Sequence, residues 1–342
     1  MPMDWFESLM GFREKGYAAT QNLLKVHGDR LRSTVNGAEY GIGTLELVSL
    51  AELRTRAGVG AGIPRFGRLR AEIMRTDARA VHVDERHAGA VMQVASQFNL
   101  LEMVGPTITP EAGVTVYQSD PTQGPACAIA AGAATVYRNY FAPVDGAIGQ
   151  TANRQLDGLA DLGTAFGVAL DMPVEDLWQM RNGYAMGSVR GITAIGRYLE
   201  NATEPERDRL RGLLRIGVHA DVEVTAAPGP KRHTVTQAFC SALPVAYARN
   251  VDAKTWKPFA TLVLEAAYEA TLCAAVVNAQ RTKSPLVFLT SLGGGAFGND
   301  AAWILAAKRR ALDLLATHNL DIRFVSFGAP SAALSELVAR YS

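Results

Sequence analysis

The 342-residue chain has few cysteines and almost no excess of charge of either sign. Its three cysteines, Cys127, Cys240 and Cys273, stand far apart without a CxxC pair. That pattern argues against a disulfide framework and favours a reducing compartment. The formal net charge is +1, so no overall field attracts nucleic acid or an anionic membrane. We therefore expect no nucleic-acid partner and no membrane partner.

Long apolar runs and targeting signals are also scarce. No stretch approaches the roughly 20 apolar residues that span a bilayer, and the N-terminus has early acids instead of a signal-peptide run. We expect a cytoplasmic protein, unless a secretion route that leaves no such mark delivers it into a host or target cell. The chain has no repeat, and its length suffices for a sizeable core.

Several familiar catalytic patterns are missing. There is no Gly-x-Ser-x-Gly elbow, and the turn at 228–233 is not followed by the Gly-Lys-Ser/Thr of a phosphate-binding P-loop. The six histidines are scattered, and His82 and His87, five residues apart, are predicted on an exposed turn instead of a metal site. We expect no metal and no required cofactor.

Strand-like and helix-like stretches alternate along the chain, which predicts an α/β fold with a partly parallel sheet. The predicted domains are an N-terminal helical extension (1–38) and one domain (39–342) with a helical insertion at about 150–225. A glycine-rich connection is predicted at 56–67. Strands are predicted at 43–49, within 90–103, and at 113–119, 234–247, 285–292 and 321–328, and helices at 4–34, 124–141, 256–280 and 301–317.

The stretch SLGGGAFGND (291–300) lies between a predicted strand and a predicted helix and matches the Gly-x-Gly-x-x-Gly pattern of dinucleotide-binding proteins. That fold needs an acid at the far end of the next strand, but Asp321 stands at its beginning, and only about 45 residues follow Gly298. An NAD-dependent dehydrogenase is therefore disfavoured. Glycines and a helix N-terminus still suit an anion such as diphosphate; the alternative is a strand–helix turn made for packing.

This glycine-rich stretch resembles the second phosphate-binding loop of macrodomains, and it is most similar to the poly(ADP-ribose) glycohydrolase branch. ASQFNLLEM (95–103) resembles the strand whose last asparagine holds the distal ribose. SDPTQGPACAIAAGAATVYRNYF (119–141) stands where macrodomains carry their first, catalytic loop and the helix after it. The resemblance covers roughly residues 40–145 and 230–330. It looks nearest to bacterial, effector-type hydrolases that remove ADP-ribose from arginine.

The resemblance implies a macrodomain-like, three-layer α/β/α fold with a mixed, mostly parallel sheet and ADP-ribose as the ligand. An ADP-ribosylated protein or an ADP-ribose-containing small molecule would be the partner. The glycohydrolase signature of three glycines followed by adjacent glutamates is absent, because the chain contains no Glu-Glu pair. The catalytic acid of that branch therefore has no counterpart here.

Release of ADP-ribose breaks a bond at the anomeric carbon and needs a carboxylate and a proton donor. Asp120 is the first candidate, with a turn or helix-capping role as the alternative. Glu102 is the second, with a solvated loop acid as the alternative, and Asp157, beside Gln150 and Gln155, is the third, with core-facing polar packing as the alternative. Arg138 is predicted on a solvated helix face, with pairing to a phosphate or an acid as the alternative.

Two loops supply the predicted ligand contacts. Asn99 is assigned to a ribose hydroxyl, and Cys127 is given a structural role and not that of a nucleophile, since no histidine adjoins it. The predicted ligand-binding residues are Asn99, Thr122, Gln123, Gly124 and Cys127, with Gly293, Gly294, Gly295, Ala296, Phe297, Gly298 and Asn299 of the second loop.

The predicted function is hydrolysis that removes ADP-ribose from modified protein, with arginine as the linkage that the resemblance implies. A non-catalytic ADP-ribose reader and an enzyme that processes a nucleotide or NAD derivative remain the alternatives.

Overall fold

Seven strands form the central sheet of the computed structural model, which describes residues 3–59, 67–248 and 250–342. The strands of the described chain are β1 (Leu24–His27), β2 (Arg30–Ser33), β3 (Glu39–Gly41), β4 (Thr44–Ser49), β5 (Arg70–Arg75), β6 (Val91–Ala95), β7 (Pro143–Val144), β8 (Ala147–Ile148), β9 (Trp178–Arg181), β10 (Tyr184–Gly187), β11 (Arg215–Glu223), β12 (Thr234–Cys240), β13 (Leu286–Leu289) and β14 (Asp321–Ser326).

The α-helices are α1 (Trp5–Met10), α2 (Tyr17–Asn22), α3 (Leu50–Ala57), α4 (Ala78–Val83), α5 (Gln123–Ala130), α6 (Gly132–Tyr140), α7 (Ala160–Leu170), α8 (Val174–Leu177), α9 (Val189–Asn201), α10 (Glu204–Leu213), α11 (Ala253–Thr282), α12 (Ala301–Leu314) and α13 (Ala332–Ala339). The order across the large sheet is β4-β11-β12-β6-β13-β14-β5. The run from β12 to β5 is parallel, and β11 is antiparallel to both of its neighbours.

Side chains of β6 point alternately to two helical layers. Val91 belongs to the hydrophobic cluster of α11, and the Gln93 amide donates to Thr271 of α11 at 3.1 Å. Met92 packs with Ala131 and Ala134 on the opposite face. Because a strand buried on both faces needs cover on both, this pattern accounts for the layers. The predicted three-layer α/β/α class with a mixed, mostly parallel sheet is confirmed.

The helix α11 runs through the core on one side of the sheet. It packs against α3, α9 and α12 as well as the strands, and a helix covered all round carries apolar residues all round. Contrary to the expectation from the sequence, it is long and apolar enough to cross a membrane by length and composition. However, 83% of its most apolar 18-residue window is buried within the protein.

The N-terminal prediction of one helix over 4–34 is wrong, because residues 11–16 separate α1 from α2 and no helix continues beyond Asn22. Strands β1, β2 and β3 follow as an antiparallel sheet. A two-residue turn at Gly28–Asp29, with Gly28 at φ 58°, joins the first two strands and gives the chain its reversal. Phe6 and Leu31 share one hydrophobic cluster with Tyr117 and Tyr140 of the following chain. The boundary at 38/39 stays a prediction.

The insertion predicted as helical at about 150–225 contains α7 to α10 but also two strand features. An Asn182–Gly183 turn, with both residues at positive φ, closes the hairpin of β9 and β10. Residues 215–223 form β11, which lies inside the large sheet between β4 and β12. The helical prediction is wrong for both segments.

Smaller differences concern local geometry. The strand predicted at 113–119 is a 3-10 turn (Thr115–Ser119), and the helix predicted at 124–141 breaks at Ala131 into α5 and α6. Strand β5 and helix α13 were not predicted. Residues 60–66 of the predicted glycine-rich connection lie outside the described residues. His82 and His87 are 1% and 8% exposed, so their predicted exposed turn is wrong.

Candidate functional site

A cleft of about 470 Å³ opens where the parallel strands end. Ligand sites of open α/β sheets form at this edge, because the loops after several strands converge there. The cleft is lined by the segments after β5 (Thr76, Asp77), β6 (Ser96, Gln97), β12 (Ala242), β13 (Thr290, Ser291, Leu292) and β14 (Phe327), and by the beginning of α5 (Gln123, Gly124).

The glycine loop (Gly293–Gly298) joins β13 to α12 along one wall of this cleft. The N–H of Gly294 donates to Ser291 at 3.1 Å, and that of Gly298 donates to Gly295 at 3.0 Å. Within the described chain, the N–H groups of Gly295, Ala296 and Phe297 donate no hydrogen bond. All three residues line the cleft. Consecutive unpaired N–H groups form a concave site for an anion.

Two further features fix the shape of the glycine loop. Gly293 has φ 72°, and a Cβ there would collide with the side chain of Ala242. The Asn299 amide donates to the Leu243 carbonyl at 2.8 Å, and its N–H donates to Gly293 at 2.9 Å. Asn299 is buried and does not line the cleft, so its position fits a tie between the loop and the end of β12 better than the predicted ligand contact. Gly294 and Gly298 do not line the cleft either.

The beginning of α5 forms a second wall with free donors. A Cβ at Gly124 would collide with the carbonyl oxygen of Ala95, so glycine lets this helix approach the end of β6. In the described part of the chain, the N–H groups of Gln123 and Gly124 have no acceptor, and the Thr122 side chain does not cap them. A helix start of this kind attracts anions.

The side chain of Gln123 forms hydrogen bonds with the backbone of β6. It accepts from the N–H of Ala95 at 3.0 Å and donates to the carbonyl of Gln93 at 2.9 Å, which continues the pairing of β6. It also donates to the Cys127 sulfur at 3.2 Å. Cys127 is buried away from the cleft, and burial raises the pKa of its thiol. These surroundings agree with the predicted structural role of Cys127. They keep its thiol away from a ligand in the cleft.

Glu102 is a buried acid on the cleft wall. Its exposed fraction is 2%, and Arg138 donates to Oε1 at 3.4 Å. Within the described residues, Oε2 has no hydrogen-bond partner. Burial raises the pKa of Glu102 to about 7, although Arg138 opposes the shift. The alternative of a solvated loop acid is wrong, and an acid of this pKa can give and take a proton near neutral pH.

Arg138 is wholly buried, so the prediction of a solvated helix face is wrong. Its guanidinium lies 3.9 Å from the ring centre of Phe239 and donates to the Leu100 carbonyl at 3.1 Å. Burial lowers the pKa of Arg138, and Glu102 counteracts that shift. The positive charge of Arg138 makes an ionised Glu102 carboxylate less costly in these apolar surroundings.

Asp120 lies on the same cleft, directly after the 3-10 turn (Thr115–Ser119). Its Oδ1 accepts the N–H of Thr122 at 2.8 Å, and the side chain is half-buried. Asp77, which caps α4 by accepting from Ala80 at 2.8 Å, also lines the cleft. The structure thus brings Glu102 and Asp120 to one cavity, as the first two catalytic candidates require.

Aromatic side chains mark two parts of the cleft that sequence reasoning missed. Tyr184 lies 5.3 Å, between ring centres, from both Tyr247 and Phe297, and its hydroxyl donates to the Met103 carbonyl at 2.8 Å. Phe327, after β14, is 90% exposed. The position of Phe327 after a parallel strand was a usable signal; the hairpin that delivers Tyr184 was predicted as helix.

Asn99 and Asp157 do not line this cleft. The Asn99 amide donates to Gln155 at 2.8 Å and accepts from Leu101 at 3.1 Å, so both of its ends are engaged. Asp157 accepts the N–H of Leu159 at 2.8 Å and lines a separate depression beside Trp178. Burial raises the pKa of Asp157. Their positions fit internal polar packing.

No group of three or more His, Cys, Asp or Glu in the described ranges is arranged to hold a metal ion. The cleft offers instead backbone N–H groups, the carboxyl groups of Asp77, Glu102 and Asp120, and aromatic rings. That combination can hold an anion in a cleft that also carries carboxyl groups.

No family model matches the chain, and no curated protein matches it. Among solved structures, it is similar to poly(ADP-ribose) glycohydrolase from Thermomonospora curvata, with 14% identity, a TM-score of 0.47, and coverage of 95% of this chain and 98% of that one. It is also similar to the Deinococcus radiodurans glycohydrolase in complex with ADP-ribose, with 11% identity, a TM-score of 0.45, and coverage of 96% and 98%. At these identities and scores, the similarity carries no argument about ligand or activity.

Proposed function

We propose that the cleft binds ADP-ribose and that the protein hydrolyses the bond joining ADP-ribose to a modified protein. One observation carries this proposal: two sets of unpaired backbone N–H groups, in the glycine loop and at the start of α5, belong to residues that line a single cleft. Backbone donors of this kind suit a diphosphate, because they stay fixed and carry no competing side chain.

The two donor sets belong to segments at the ends of neighbouring strands. The glycine loop follows β13, and α5 begins against the last residue of β6, the neighbouring strand. Neighbouring strands are separated by about 5 Å. Each phosphate of a diphosphate can therefore take donors from one wall.

An adenine would lie at the end of the cleft formed by β14 and β5. The ring of Phe327 is exposed there and can stack on a base. The Asp77 carboxylate, on the same edge, can accept from an exocyclic amine. From β6 to β5 the sheet spans three strand spacings, roughly 14 Å, which leaves room for an extended nucleoside diphosphate sugar.

The distal ribose would then lie near Glu102 and Asp120. Water attacks the anomeric carbon while the bond to the protein side chain breaks, and Asp120 takes the proton from that water. Glu102, protonated near neutrality, gives its proton to the leaving group. The transition state has positive charge on the sugar, which the Asp120 carboxylate stabilises. A guanidine leaving group regains its charge on protonation, so an arginine linkage suits this arrangement.

The test compares binding with turnover. The binding of ADP-ribose is measured by calorimetry, and its release is measured from a protein modified on arginine, glutamate or serine. We expect Asp120→Asn to keep the affinity for ADP-ribose and to lose release by about 100-fold or more. Asp157→Asn is the matched control, because that acid lies away from the cleft, and it should leave both values unchanged.

Two results would overturn the proposal in different ways. A wild-type protein that binds ADP-ribose and releases it from none of the three linkages is a reader of the modification and not a hydrolase. If the wild-type protein does not bind ADP-ribose, the assignment of the cleft as an ADP-ribose site is wrong.

A further inference from the structure

Lys308 is a buried cation directly behind the glycine loop. It lies on α12, the helix that this loop leads into, and its exposed fraction is 4%. Its Nζ donates to Ser291 Oγ at 3.2 Å. Ser291 is exposed and lines the cleft two residues before the glycine loop. One hydroxyl therefore separates the ammonium from the space where an anion would bind.

Aromatic rings surround the rest of the ammonium. Nζ lies 5.8 Å from the ring centre of Tyr268 on α11 and 5.2 Å from that of Phe324 on β14. The Tyr268 hydroxyl donates to the Thr290 carbonyl at 2.6 Å and accepts from Leu292 at 3.0 Å, and burial keeps it uncharged by raising its pKa. Neither ring supplies a negative charge.

Several charged groups on the elements packed around Lys308 form ion pairs with other residues. On α11, Glu269 pairs with Arg54 and Arg310, and on β14, Arg323 pairs with Asp321. On α12 itself, Arg309 lies 3.7 Å from Asp313. Within the described ranges, no carboxylate lies within ion-pair distance of Lys308. Burial alone lowers the pKa of Lys308 to about 8.

A buried ammonium without an anion is costly to the folded protein, so a partner that arrives later would be strongly favoured. We propose that Lys308 is a positioning residue that supplies the counter-charge for a bound diphosphate through Ser291, so that ligand binding above neutral pH draws a proton onto its amine. This inference rests on the proposed function, because it deepens the role of the glycine loop. It adds a charged group to a loop that otherwise offers only backbone donors.

Calorimetric titration with ADP-ribose at pH 6 and pH 8, in two buffers with different ionisation enthalpies, measures this proton. We expect uptake of about half a proton at pH 8 and none at pH 6 in a Glu102→Gln background, which removes the cleft carboxyl that titrates near neutrality. Lys308→Met should bind ADP-ribose about tenfold more weakly at pH 6 and show no uptake. Lys308→Arg should bind without uptake, because its guanidinium does not titrate.

Thermal stability separates this role from a purely structural one. Lys308→Met should melt at or above the wild-type temperature, because it removes an unpaired buried charge, while its affinity falls. Lys254→Met, on the exposed first turn of α11, is the matched control and should change neither value. A variant that melts lower but keeps the wild-type affinity and proton uptake would overturn the inference.

Inorganic diphosphate serves as a second probe. If ADP-ribose does not bind but diphosphate binds and the wild type takes up more protons with it than Lys308→Met does, the inference holds and the proposed function fails. If ADP-ribose binds and Lys308→Met alters neither affinity nor uptake, the inference alone fails. If neither probe binds to the wild-type protein, both fail.

Discussion

Replacing Glu102 with glutamine tests whether this buried carboxyl holds a proton near neutral pH. Its pKa in the folded protein is about 7, against an ordinary value of 4.5, and burial is the leading cause. Because the folded pKa is raised, the folded protein binds more protons than the unfolded chain between these two values. The resulting stability is complete below pH 4.5 and is lost as the pH rises through 7.

The magnitude follows from the size of the shift. The difference between a pKa of 4.5 and one of about 7 corresponds to about 3 kcal/mol of unfolding free energy over the whole pH range. Glu102→Gln cannot titrate, and it also leaves Arg138 without its carboxylate, so the variant is expected to be less stable overall. The informative quantity is therefore the difference in unfolding free energy between wild type and variant as a function of pH.

Urea denaturation at pH 5, 6, 7 and 8 measures that quantity. We expect the advantage of the wild type to shrink by about 2.5 kcal/mol between pH 5 and pH 8, because part of the total is already lost at pH 5. Hydrolysis, if Glu102 donates the proton, should fall about tenfold for each pH unit above 7. A difference in stability that stays constant from pH 5 to pH 8 would refute the reasoning, because it would mean that Glu102 is ionised throughout.

Two further predictions concern the walls of the cleft. Phe327→Ala should weaken ADP-ribose binding by about tenfold through lost stacking and leave the melting temperature unchanged, since the ring is 90% exposed; Val168→Ala, on the exposed face of α7, is the calorimetric control. Gly124→Ala should cost on the order of 2 kcal/mol in urea denaturation and weaken ADP-ribose binding, because its Cβ would push α5 away from Ala95. Gly212→Ala has room for a Cβ, 3.5 Å from Ala51, and should be neutral; equal losses in both variants would show that the close approach at Gly124 is unimportant.

The glycine loop could be located from the sequence because its signals are local. A strand-like run before it and a helix-like run after it fixed its position, and the structure has β13 and α12 there. The prediction that Asp321 stands at the beginning of its strand is confirmed. Asp321 is the first residue of β14 and lies at the edge of the sheet opposite the cleft. What the pattern did not reveal was which loop residues face the cleft, because that depends on how Gly293 packs against Ala242.

The surroundings of an acidic side chain could not be predicted from the residues next to it in sequence. Glu102 and Arg138 are 36 residues apart and meet only when α6 packs on the sheet. The same packing buries Arg138, whose surroundings in sequence suggest a solvated helix face. Asn99 was assigned to a ligand from its place at the end of a predicted strand; in the structure its amide donates to Gln155, and the ligand contact stays a prediction.

Two turn signals were present in the sequence, but the helical spacing of apolar residues around them outweighed them in the prediction. Gly28–Asp29 and Asn182–Gly183 are both two-residue hairpin turns. Each lies within a stretch whose apolar spacing favoured a helix. Strand β11 lacked such a marker, and its place between β4 and β12 is set by pairing with strands distant in sequence.

Calorimetric titration of the wild-type protein with ADP-ribose, NAD and ADP side by side tests the central claim most directly. We predict saturable binding of ADP-ribose at one site and weaker binding of ADP, which lacks the distal ribose that would lie beside Glu102 and Asp120. Tight binding of NAD with no heat from ADP-ribose would contradict the account.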